Sequence, residues 1–113
     1  MKNLIVLIVL FASVISNAQD YTILHINSSW NSKNDYKDLY KIKGAKVVKA
    51  LLEDQKPSIR NQIKSVPVMF IYKDNSLIGR YDGGISLQII TPYTEIQDLI
   101  NSSKTNYRRQ TTD

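Results

Sequence analysis

The run Tyr21 to Asn27 reads Y-T-I-L-H-I-N and is apolar or β-branched at almost every position. A strand of that kind has no polar face to turn to water, so the sheet that holds it must be covered on both sides. An α/β protein, with helices on both faces of one central sheet, is the expected class.

The remaining elements fit that layout. Ser28 and Ser29 break the first strand, and Asn34-Asp35 offer N-cap chemistry for a helix carrying Tyr36, Leu39, Tyr40 and Ile42, with Gly44 as its stop. Ala45 to Asp54 is ambiguous, because Val47, Val48, Leu51 and Leu52 suit a helical face as well as a strand. Its length between Gly44 and Lys56-Pro57, and its β-branched pair, favour a strand. Pro57 stands well at the first turn of a short helix reaching Ile63, with Ile59 and Ile63 inward. Val66 to Tyr72 is the strongest strand; Asp74-Asn75 form a turn, and Leu77 to Tyr81 returns as its hairpin partner until Gly83-Gly84. Thr91-Pro92 open a last helix with Ile96, Leu99 and Ile100 as its apolar stripe. The order is β-α-β-α-β-β-α, which gives a mixed sheet.

At the N-terminus Lys2 precedes an apolar run from Leu4 to Val14 and then Ser16-Asn17-Ala18, the three parts of a secretory signal peptide. The apolar run is short of the roughly twenty residues that span a bilayer. Residues 1–18 are therefore expected to be removed, leaving an exported domain over 19–104, periplasmic or secreted, with no membrane anchor. The polar stretch 105–113, which holds Arg108-Arg109, is expected to be a disordered tail. Small exported domains commonly recruit disulfides, but this chain has no cysteine and must depend on packing. The net charge of +5 is spread over scattered lysines, which suits a solvated surface and argues against a nucleic-acid partner.

Trp30-Asn31-Ser32-Lys33-Asn34 follows the first strand, Ile63-Lys64-Ser65-Val66-Pro67-Val68 opens the third, and F-I-Y-K-D-N-S and Gly84 come after it. In that order these segments resemble the thioredoxin superfamily in its minimal form, over about Tyr21 to Lys104. The resemblance implies a thioredoxin-like fold, a cis bond at Val66-Pro67, and an extended peptide or unfolded client lying across a groove. Its peptide-binding residues would be Trp30, Asn31, Ser32, Val66 and Pro67. Asn31 and Asn34 stand where the family has the two cysteines of C-x-x-C. An amide is neither a nucleophile nor a redox group, so thiol-disulfide exchange is excluded by chemistry. Ser32 has no paired base that would make it a substitute nucleophile.

His25 falls where the family buries an aspartate, and a hydrogen-bonded core role is expected for it. One histidine without cysteine offers no zinc ligand set, and no cofactor is expected. Free N–H groups after Trp30, beside Lys33, could attract an anion, although Asn31, Ser32, Asn34 or Asp35 could cap them instead. Two rivals to the peptide groove remain. One is an interaction module with a vestigial site, its partner docking on Tyr36, Leu39 and Tyr40; the other is a non-redox enzyme on the same scaffold.

Overall fold

The structure is a computed structural model that describes residues 20–112, with side chains through residue 104. The expected signal peptide over 1–18 lies outside the described residues. Four strands form one sheet in the order β2-β1-β3-β4: β1 (Tyr21–Asn27), β2 (Lys46–Leu51), β3 (Val68–Lys73) and β4 (Ser76–Asp82). β1 runs parallel to β2 and antiparallel to β3, and β3 is antiparallel to β4, so the sheet is mixed. The ambiguous segment after Gly44 is thus a strand, because β1 needs a neighbour on that side and Lys46–Leu51 supplies it.

All seven residues of β1 are buried, as a strand without a polar face requires. Leu24, Ile26, Val68, Phe70 and Tyr72 point to one face, where α1 (Pro57–Arg60) and its following loop set Ile59 and Ile63 against them. Tyr21, Ile23, Met69 and Ile71 point to the other, under Tyr36, Leu39, Ile42 and the helix α2 (Tyr93–Thr112). Ile96 and Ile100 of α2 are fully buried, a spacing that puts both on one helical face. Each contributes about 1.5–3 kcal/mol of apolar burial.

One expectation gives way here. The stretch after β1 holds no α-helix; it forms a 3₁₀ segment at Ser29–Asn34 and a second at Leu39–Lys41. Asn34 and Asp35 end the first segment instead of capping a helix from Tyr36, and Asp35 is extended at φ −53° and ψ 146°. The Tyr36 N–H is donated to His25 Nε2 at 3.1 Å, which removes it from any local helix. At the other end, the backbone of α2 continues to Thr112. No helix among the described residues is long and apolar enough to cross a membrane.

Candidate functional site

The ends of three loops meet at one end of the sheet. Ile26 pairs with Val68, so the turn that leaves β1 lies beside the approach to β3. That approach contains the Val66–Pro67 peptide bond, which is cis. A third loop, residues 83–88, joins both: Gly83 N–H donates to Pro67 O at 2.9 Å, and Asn31 Nδ2 donates to Leu87 O at 3.1 Å. Gly83 has to be small, because a Cβ there would stand 2.9 Å from Gln88 N and 3.0 Å from Val66 O, both backbone atoms.

The residues singled out from sequence divide between rim and floor. Trp30 is 68% exposed and Ser32 is exposed, on the rim. Val66 and Pro67 are buried, as is Asn31, only 2% exposed. The Asn31 side chain is therefore not offered to a peptide. Its Nδ2 donates to Asn27 Oδ1 at 3.1 Å as well as to Leu87 O, and its Oδ1 accepts from Asn34 Nδ2 at 2.7 Å. Asn34 Oδ1 in turn accepts from Gln88 Nε2 at 3.2 Å. The two positions that would carry sulfur in a C-x-x-C motif are thus bonded to each other as amides, within a net that ties the turn to the loop 83–88.

Asn27 forms the root of that net. Its Nδ2 donates to Asn31 O at 2.9 Å and to Asp35 Oδ1 at 2.7 Å, while its Oδ1 also accepts from Ser28 N at 2.9 Å. Asp35 meets Lys49 of β2 at 3.1 Å. Burial alone would raise the Asp35 carboxyl, but the hydrogen bonds from Asn27 and Lys49 outweigh it and hold its pKa below the ordinary 3.8. Next to this pair, burial lowers the pKa of His25 from its ordinary 6.5, against the pull of Asp35. The acceptor role of Nε2 toward Tyr36 fits a neutral ring with its proton on Nδ1. His25 is 1% exposed and serves as a core hydrogen-bond acceptor.

One N–H at the start of the 3₁₀ segment, that of Ser29 just before Trp30, is already met by an anion that belongs to the chain. Glu53 accepts from the Ser29 N–H at 3.0 Å and from the Ser29 hydroxyl. Those bonds hold the Glu53 carboxyl below its ordinary pKa. After Trp30, the N–H groups of Asn31 and Asp35 donate to the backbone carbonyls of Ser28 and Ser32. Glu53, Leu87 and Gln88 carry no local signal as site residues because they join the turn across 24 residues or more, and Gly83 joins Pro67 across sixteen. Ile85, fully exposed on the loop 83–88, adds an apolar side chain to the same end of the sheet.

Two clefts flank the turn. One of about 360 Å³ lies under it, between His25, Asn27, Asp35 and the β2 residues Lys49 and Leu51. The other, about 420 Å³, separates Lys33 and Asn34 from Gln88, Ile90 and Pro92. Among the described residues no cluster of three or more His, Cys, Asp or Glu side chains could hold a metal ion. Neither a protein-family model nor any curated protein matches the chain.

Proposed function

We propose that this chain is an exported, redox-inactive domain of thioredoxin-like fold that binds an extended peptide or unfolded client non-covalently beside Trp30 and Val66–Pro67. The fold reading draws support from the strand order, with a parallel β1-β2 pair, an antiparallel β3-β4 hairpin and helices on both faces. The observation that carries the function is the placement of a 68% exposed indole at the same end of the sheet as Val66–Pro67, with the loop 83–88 hydrogen-bonded to both sides. An exposed indole on a turn held by an internal hydrogen-bond net is a preorganised apolar anchor. Without a thiol the complex is released without bond exchange, so binding is weak and reversible.

Titrating the protein with a reduced, alkylated unfolded polypeptide tests this reading. Trp30→Ala is expected to weaken binding about tenfold or more, as loss of a central aromatic anchor does. Unchanged affinity would remove the groove from the account. A second reading rests on Tyr40, which is 74% exposed although Tyr36 and Leu39, its neighbours in the sequence pattern, are buried. Binding that survives Trp30→Ala and is lost on Tyr40→Ala would favour an interaction module centred there.

A further inference from the structure

We propose that the open edge of β2 accepts an acidic, extended segment of a partner protein as a fifth strand. This surface is separate from the Trp30 groove and does not depend on it.

The two edges of the sheet are built differently. Along β4 the pairing with β3 slips between Ile71 and Tyr72, Gly79 interrupts the strand, and Arg80 faces Asp82 at 3.7 Å. A slipped register and a charge pair are devices that spoil an edge for further pairing. β2 has neither glycine nor proline, and its register with β1 runs unbroken from Thr22↔Lys46 to Asn27↔Leu51. Its six residues are exposed or half-buried throughout, and at its end Gln55 Nε2 donates to Leu51 O at 3.0 Å.

Lysine is another common guard of an open edge. Here one of the two has been drawn away, since Lys49 is folded toward Asp35 at 3.1 Å. Two apolar side chains on the same face of β2, Val47 and Leu51, are 38% and 39% exposed. On the opposite face Val48 and Ala50 pack against the core and Lys46 is exposed. An added strand would therefore meet an apolar pair on one face and an ammonium on the other.

Charge selects the partner. Lys41 to Lys49 contains four lysines and no acid. Asp38 faces Lys41 and Asp35 faces Lys49, while Lys43 and Lys46 make no ion pair among the described residues. The partner strand is thus acidic where it passes Lys46 and apolar where it passes Val47 and Leu51, with main-chain hydrogen bonds supplying the affinity.

The test uses the full chain and a labelled peptide of alternating Glu and Val, followed by fluorescence anisotropy and backbone-amide NMR. The Glu/Val peptide is expected to bind and to shift the amides of Lys46–Leu51. A Lys/Val peptide should bind about tenfold more weakly, and N-methylation of alternate residues in the Glu/Val peptide should abolish binding. Lys46→Glu, at an exposed position, should reverse the preference between the two peptides at β2, and the amide shifts of Lys46–Leu51 should persist in the Trp30→Ala protein, in which any binding at the groove is weakened. Binding that tolerates N-methylation, shifts that avoid β2, the absence of any binding, or a homodimer through β2 that the peptide cannot displace would each overturn the proposal.

Discussion

Replacing Asn31 by alanine removes the centre of the net that shapes the Trp30 turn. Three side-chain hydrogen bonds are lost: to Asn27 Oδ1, to Leu87 O and from Asn34 Nδ2. Asn27 Oδ1 keeps the Ser28 N–H and half-buried Asn34 can turn toward water, so the lasting deficit falls mainly on Leu87 O and on the space left at a 2% exposed site. At about 1 kcal/mol net for each bond, the loss is about 3 kcal/mol. For a domain of this size that corresponds to a fall of about 12–24 °C in Tm. Urea and thermal unfolding followed by far-UV circular dichroism is the suitable assay, because Trp30 is already 68% exposed and its fluorescence reports unfolding poorly. Asn34→Ala, at the half-buried end of the net, should cost about 1 kcal/mol or less, and the Asn31/Asn34 double-mutant cycle should show coupling of about 0.5 kcal/mol or more. An Asn31→Ala protein within about 0.5 kcal/mol of wild type would refute the idea that these amides hold the turn.

Other consequences follow from the same geometry. Because the folded-state pKa of His25 lies below its ordinary 6.5, its contribution to stability is full above that value and declines as pH falls from 6.5 toward the folded pKa. Urea midpoints measured from pH 8 to 5 should show this decline, and His25→Gln, which can still accept the Tyr36 N–H, should flatten it. The depressed Asp35 carboxyl adds a separate loss that begins only below its ordinary 3.8, so the two groups act in different windows. Gly83→Ala forces its new Cβ against the backbone of Gln88 and Val66, so the loop must move; client affinity in the titration should fall while the far-UV spectrum stays that of the wild type. Glu53→Ala leaves the Ser29 N–H without its carboxylate, and amide exchange at Ser29 should speed up relative to that of Asn31, whose N–H remains bonded to Ser28 O at 3.0 Å.

The sheet and its layers were legible in the residues because burial leaves a periodic trace. Y-T-I-L-H-I-N, the run into Tyr72, Asp74-Asn75, and Thr91-Pro92 each mark their elements by local chemistry alone. Local reading failed where distant partners decide the backbone. Tyr36, Leu39, Tyr40 and Ile42 have helical spacing, yet the Tyr36 N–H goes to His25 eleven residues earlier and no α-helix starts there. The site was legible in part for the same reason. Trp30, Val66 and Pro67 stand out by type and position, whereas Glu53 and Leu87 enter through bonds that no local pattern announces. Asn31 illustrates the limit: a polar residue on a turn reads as exposed, and only the surrounding amides account for its burial.

The central claim, that the end of the sheet between Trp30, Val66–Pro67 and the loop 83–88 holds an extended chain, is tested most directly by backbone-amide NMR during titration with an unfolded polypeptide. The account predicts shifts concentrated at residues 29–32, 65–68 and 83–88, with an intermolecular contact to the Trp30 ring. Shifts confined to other surfaces, with the indole signal unmoved at saturation, would contradict it.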